Sequence, residues 1–326
     1  MAKGKPVRSP RGDWLERLPF ATIVYDRSVE LRRNLEDTIF PGRASETGRA
    51  EFRSRLETAL AGAGRKFDAE TMAVRYNDED HFVLRGIGME PFAAQFKKLA
   101  ACADAVAKRE PFARSAEYGY LSANPDHTGT GLTLVCDMCL FGLCITRTLD
   151  PSLRALERLG FDVPATYGRP RLTGGTGGET SEDEFSVEAP GCRYLISSVR
   201  NVGTERDILS RMDAVCREVA RQEQNARLRL LDGGPSAELL DFVHRSVAIG
   251  AYAKALGLSE ALDIVFAVQF AIDLDLFKGR SVKTEDWIAL ADVLLKDPFK
   301  DVHGVSPREA RAAAVSPFFK PLLKQL

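Results

Sequence analysis

The sequence predicts an α+β protein, and two observations carry that prediction. Segments of β-branched and aromatic character fall before residue 200, whereas beyond it the apolar residues recur at three- and four-residue steps. Strands and helices also fail to alternate steadily enough for a doubly wound sheet, and no internal repeat is found. At 326 residues and 44% apolar content the chain is long enough to bury a substantial core.

Taken in order, residues 22–25 read as a short strand and residues 51–60 as a helix with Phe52, Leu56 and Leu60 on one face. Residues 67–76 and 82–87 read as strands flanking the polar cluster Asn77-Asp78-Glu79-Asp80-His81. Over 91–109, Phe92, Phe96, Leu99, Ala103 and Val106 mark an amphipathic helix suited to lie against a sheet. The glycine-bearing stretch Thr128-Gly129-Thr130-Gly131 leads into residues 132–145, which are too long for one strand and are predicted to bend. Residues 151–159 read as a helix with Pro151 in its first turn.

Residues 171–190 are rich in glycine, threonine, serine and acid, cannot bury much, and are predicted to form a mobile loop. Residues 194–199 form a strand, and Thr204 is placed to cap a long helix reaching about Leu230. Helical patterns then cover 237–256, 259–276, 284–295 and 306–315.

The 45 basic and 46 acidic side chains leave a net charge of -1, so no global field draws the chain to nucleic acid or to an anionic membrane. Residues 1–13 carry Lys3, Lys5, Arg8 and Arg11 with no apolar run behind them, which reads as a disordered basic tail rather than a signal peptide or anchor. No uncharged apolar stretch is long enough to span a bilayer, and a cytoplasmic location is expected. Cys136, Cys139 and Cys144 suggest a metal site by spacing. No second CxxC and no spaced histidine pair completes it, so core packing is the favoured reading and no metal is expected.

Six stretches then stand out together: Arg33-Asn34-Leu35-Glu36 with Phe40-Pro41, the 77–81 cluster, Gly119-Tyr120-Leu121-Ser122, Gly129-Thr130-Gly131-Leu132, Thr146-Arg147, and Tyr194-Leu195-Ile196-Ser197-Ser198 with Gly203. In the same order they resemble the RNLE…FP, NEEDH, GYLTS, GTGLR, LTR and YQISN…LG motifs of the ATP:guanidino phosphotransferases, the family of arginine, creatine and bacterial protein-arginine kinases. His244-Arg245-Ser246 and Ala271-Ile272-Asp273-Leu274 with Lys278-Gly279 are similar to pieces peculiar to the protein-arginine kinase branch. The resemblance implies an antiparallel sheet wrapped by helices over 14–230 and a helical C-terminal domain over 231–326. With little chain before Trp14, the small helical domain that precedes the sheet in metabolite kinases is expected to be absent.

In this family a γ-phosphoryl group passes between Mg-ATP and a guanidinium, held by arginines that neutralise the phosphate oxygens. The resemblance places Ser28 and Glu30 at one arginine pair, Val83 after the NEEDH-like turn, Thr133 at the end of the GTGL stretch, and Gly174 at the arginine of a loop motif that keeps Gly178 and Glu179. Clamps of this kind are worth roughly 10³–10⁵ in rate, so losing four or five of them is expected to abolish turnover. On the acceptor side Glu79 stands where the family's carboxylate orients the guanidinium, and Asn124 replaces a cysteine. Asp126 and His127 follow, and Cys139 stands at the adenine-holding histidine.

Plainer readings stand beside these. The 77–81 acids also suit a solvated turn, His81 and His127 suit structural or surface roles, and Gly129 and Gly131 suit a backbone turn. Near the C-terminus Arg308-Glu309-Ala310-Arg311 resembles a phosphoarginine-recognising patch of the protein-arginine kinase branch. Arg308 and Arg311 are three apart on one helix face, which equally suits a solvated basic surface.

The expectation is a catalytically degenerate protein-arginine-kinase-like chain, a pseudokinase with a binding or regulatory role in phosphoarginine-linked protein quality control. No cofactor is expected. The expected partner is an active arginine kinase, a quality-control factor or a phosphoarginine-bearing protein. One rival is an active divergent kinase using Mg-ATP, in which Arg27, Arg32, Arg85, Arg169 or Arg171 rebuild the clamp; it requires three or more guanidinium groups near Glu79. Another is a homo-oligomeric scaffold that binds no nucleotide.

Overall fold

A computed structural model describes residues 14–18, 20, 22–166, 189–198, 203–277, 284–296, 298–301 and 304–324. In chain order the longer elements are β1 (Val24–Arg33), α1 (Glu46–Ala61), β2 (Met72–Tyr76), β3 (Phe82–Gly86) and α2 (Phe92–Ala107). The short pair β4 (Arg114–Ser115) and β5 (Gly119–Tyr120) follows, then β6 (Leu132–Cys139), α3 (Phe141–Ile145), α4 (Leu149–Arg158), β7 (Phe161–Asp162) and β8 (Arg193–Ser198). Helices α5 (Glu205–Leu231), α6 (Ala237–Tyr252), α7 (Leu258–Asp273), α8 (Thr284–Lys296) and α9 (Pro307–Phe319) complete the chain.

The main sheet has six strands in the order β2-β3-β1-β6-β8-β7, and its pairs are antiparallel. This is the α+β architecture expected, with a predominantly helical C-terminal portion. The expected strand at 22–25 is in fact the ten-residue β1 at the middle of the sheet. Side chains alternate along it: Val29 and Leu31 enter the core, while Asp26, Ser28, Glu30 and Arg32 share the other face. The run looks short in the sequence because Arg27 and Arg33 occupy inward positions and break the apolar–polar alternation.

Residues 132–145 bend as expected, β6 ending at Cys139 and α3 starting at Phe141. Two Glu223 carboxylate oxygens accept from the α3 amides Gly142 (2.8 Å) and Leu143 (2.9 Å), so a side chain on α5 satisfies buried first-turn donors of this short helix. Thr204 caps α5 in a reciprocal pairing with Asp207. Helix α6 stops at Tyr252, four residues before the expected end, and α9 runs on through Pro317 to Phe319. Of the loop expected over 171–190, residues 171–188 lie outside the described residues, as does the tail over 1–13.

One apolar cluster extends from Val29, Leu31, Leu99 and Val106 through Ile208, Met212 and Cys216 to Val265, Phe266, Phe270 and Phe319. Cys102, Cys136, Cys139, Cys192 and Cys216 are buried and Cys144 half-buried, all as free thiols. Within the described residues no helix is long and apolar enough to cross a membrane.

Candidate functional site

The face of β1 opposite the core is the candidate site, because cross-strand register gathers charge upon it. Glu30 lies opposite Arg85 on β3 and Thr133 on β6, Arg32 opposite Val83, Ser28 opposite Val135, and Asp26 opposite Asp137. Arg75 on β2 is in turn opposite Val83. A two-residue side-chain period thus brings Arg75, Arg32, Arg85, Glu30, Asp26 and Asp137 to one face from four strands.

The charges are arranged in pairs. Glu30, with 11% of its side chain exposed, accepts from Arg32 Nη2 at 2.7 Å and from Arg75 Nη2 at 3.1 and 3.2 Å. Arg75 Nε also lies 3.4 Å from Asp78 Oδ2. Arg85 Nη2 reaches Asp26 Oδ2 at 3.5 Å and Ser28 Oγ at 3.3 Å. Burial raises the Asp26 pKa, Arg85 opposes that shift, and Asp137 adds to it. Arg193 forks onto Asp137, with Nε 3.1 Å from Oδ1, and Thr166 Oγ1 donates to the same oxygen at 3.0 Å. The Arg193 guanidinium also lies over the Tyr25 ring, 4.1 Å from its centroid.

At the β2–β3 end the polar turn separates into a structural and an open half. Asp80 is buried and accepts from Asn34 Nδ2 (2.6 Å), Ser122 Oγ (2.9 and 3.0 Å) and the Ala123 amide (2.9 Å). His81 is buried beside it; its Nδ1 accepts from the Leu35 amide at 3.4 Å, and burial lowers its pKa to about 4. Glu79 instead projects outward, with 48% of its side chain exposed. The solvated-turn reading thus fits Asp78 and Glu79 by exposure and fails for Asp80.

Glu79 does not stand alone. Asn124 Nδ2 lies 3.4 Å from Glu79 Oε1, and His127 Nε2 lies 3.9 Å from Glu79 Oε2. The other ring nitrogen, Nδ1, is 3.4 Å from Thr133 Oγ1. Burial lowers the His127 pKa, Arg32 lowers it further, and Glu79, Asp80 and Asp126 oppose the shift. Sequence reasoning gave His127 a surface or structural role and so missed this cluster. The signal was the Asn124-Pro125-Asp126-His127 turn, in which Asn124 accepts from the Asp126 amide at 3.0 Å and so sets residues three apart side by side.

The other candidates are placed as follows. Ser28, Glu30, Val83 and Thr133 meet on or beside this face, and Val83 is fully buried. Gly174, Gly178, Glu179, Arg169 and Arg171 lie outside the described residues. Arg27 is corrected: it is buried on the opposite face, where its Nη2 donates to the Met89 carbonyl, and so does not join a clamp. Cys139 is buried with Sγ 3.5 Å from the Gly191 carbonyl, and burial pushes its pKa up to about 12. Arg308 is exposed, whereas Arg311 is buried with Nη1 3.0 Å from the Leu256 carbonyl, so the two are not presented together at the surface.

Gly131, at φ +62°, fits the backbone-turn reading. A Cβ there would meet the Arg32 carbonyl oxygen at 2.5 Å, the same oxygen-bearing residue whose amide bonds Gly131 O at 2.7 Å. Among the described residues no group of three or more His, Cys, Asp or Glu is arranged to hold a metal ion. A polyphosphate laid on this face would meet the Glu30 carboxylate between the two guanidinium groups nearest the turn.

Comparison with known proteins agrees with the architecture. The chain is 27% identical over 308 residues to a protein-arginine kinase of Exiguobacterium sp. (strain ATCC BAA-1283 / AT1b), covering 82% of this chain and 83% of that one. It is also 27% identical over 312 residues to a protein-arginine kinase of Moorella thermoacetica, covering 82% and 84%. The duplicated taurocyamine kinase from Schistosoma mansoni with bound transition state analog components shares the fold at a TM-score of 0.50 and 18% identity, over 74% of this chain and 39% of that one. Residues 63–226, half of the chain, match the family model described as ATP:guanido phosphotransferase, C-terminal catalytic domain, and the chain belongs to that family.

Proposed function

We propose that this member of the family does not transfer phosphoryl groups at a useful rate and instead binds, as a regulatory partner, within a protein-arginine phosphorylation system. The observation that carries this reading is the internal pairing on the charged face of the sheet: Arg32 and Arg75 are tied to Glu30, Arg85 to Asp26, and Arg193 to Asp137. Phosphoryl transfer needs cations aimed at the migrating group, and cations already neutralised by the chain's own carboxylates supply little of that stabilisation. Of the three described arginines proposed to rebuild a clamp, Arg32 lies beside the Glu79–His127 cluster. Arg27 is on the other face and Arg85 is engaged by Asp26 and Ser28.

The ligand this reading favours is an arginine-bearing or phosphoarginine-bearing protein, held through Glu79 and Asn124, or an active kinase of the same family. Incubation of the purified protein with Mg-ATP and an arginine-rich acceptor protein is expected to yield no acid-labile phosphate above background. Magnesium-dependent arginine phosphorylation that disappears in Glu79→Gln would overturn the reading. It would favour the second one, an active divergent kinase using Mg-ATP, which the convergence of Glu79, Asn124 and His127 supports.

A further inference from the structure

We propose that Arg32 and Arg75 constitute an anion-binding site that the chain fills with its own Glu30, and that Glu30 sets this face's preference against phosphate-bearing ligands. This rests on the reading above that the chain does not transfer phosphoryl groups at a useful rate, and it names a residue that opposes phosphate on this face. Two guanidinium groups from different strands converge on one carboxylate at 2.7 to 3.2 Å. The carboxylate is largely withdrawn from water, and the Arg32 side chain is equally so, at 11% exposure. A guanidinium fork accepts a carboxylate and a phosphate through the same pair of N–H donors, so the site selects an oxyanion without distinguishing which.

Attachment decides the occupant. Glu30 is delivered by β1 into the register position opposite Arg85 and Thr133, and reaches the two arginines without the translational and rotational cost that a free anion bears. A phosphate-bearing ligand must therefore displace a tethered competitor and leave a desolvated carboxylate unpaired beside its own charge. With Glu30 neutral, the one carboxylate left against the pair is the half-exposed Asp78, 3.4 Å from Arg75 Nε, and Arg85 stands one strand away at the matching level.

The test measures binding of pyrophosphate and of inorganic phosphate, by calorimetry and by the thermal midpoint, to the full chain and to Glu30→Gln. The expected result is at least ten-fold tighter pyrophosphate binding in Glu30→Gln than in the parent, abolished in the Glu30→Gln/Arg75→Gln double variant. If Glu30→Gln does not fold, Glu30→Ser is read in the same way. A folded variant, by circular dichroism and a cooperative melt, that binds pyrophosphate no more tightly than the parent overturns the proposal. A gain that survives Arg75→Gln overturns it as well, because the anion then sits elsewhere. The failure of the wider reading is separate: it is seen as Mg-ATP-dependent phosphorylation by the parent chain, whatever the ratio of the two pyrophosphate affinities.

Discussion

His81 shows how one residue of the turn is committed to structure while its neighbour is left open. The imidazole is fully buried, edge-on to Phe52 with ring centroids 4.7 Å apart, and burial lowers its pKa to about 4. In the unfolded chain the same group titrates near its ordinary value of about 6.5. The unfolded state therefore binds the extra proton first, and the stability contributed by neutral His81 is present above about pH 6.5 and lost as pH falls toward 4. The loss is on the order of 3 kcal/mol across that window. Urea unfolding of the parent and of His81→Gln between pH 7 and 4 is expected to show a steeper fall in the parent. Parallel slopes would remove His81 as the cause.

Glu79, two residues earlier, has the opposite character: half-exposed and flanked by Asn124 and His127. The motif resemblance marked Glu79 and Asn124 in the sequence. His127 was not legible, because its meaning depends on the 125–127 turn and on Thr133, six residues on, at the start of a strand. The residues that the motif resemblance sets at the family's arginine positions, Glu30, Val83 and Thr133, were legible one by one. The partners that absorb the remaining arginines were not.

Among the elements, α5 ties the molecule together through a buried ion network. Arg227 and Glu223 are both fully buried, with Nε to Oε1 at 2.7 Å, and Arg227 Nη1 reaches Asp273 Oδ2 at 2.8 Å and Thr22 Oγ1 at 3.1 Å. One guanidinium thus joins α5, α7 and the chain just before β1, while Glu223 holds the start of α3. Removing one partner of such a network leaves charge stranded in a medium that cannot solvate it. Arg227→Ala is expected to cost about 3–5 kcal/mol in chemical denaturation. A loss below about 1 kcal/mol would show that water reaches Glu223 and Asp273 when the guanidinium is removed. Nothing in the helical periodicity of residues 204–230 announces this, since Glu223 and Arg227 look like an ordinary exposed pair four residues apart.

Across the whole molecule, the C-terminal helices share the core of the sheet. Phe266 of α7 packs edge-on to Tyr25 of β1, with centroids 5.6 Å apart, and its ring lies against Gly191 just before β8. Gly191 has φ +69°, and a Cβ there would stand 2.2 Å from the Phe266 ring. The Asp263 carboxylate accepts the Gly191 amide at 2.6 Å, a second tie at the same junction. Gly191→Ala is expected to destabilise the fold by at least about 2 kcal/mol, from strain and overpacking together, read as a lowered urea midpoint. An unchanged midpoint would mean that α7 shifts away from the sheet without cost.

The sequence by itself determined the α+β class, the faces of α1 and α2, the cap of α5 and the bend after β6. Each of these depends on residues within about one or two helical turns of one another, or on residue identity alone. Only the tertiary structure decided that Glu30 would meet Arg75, 45 residues along the chain, that Asp137 would meet Arg193, and that His127 would stand beside Glu79. Those meetings are set by strand register, which follows from burying β1 between β3 and β6. The residues that meet on the resulting charged face carry no mark of it in their own neighbourhoods.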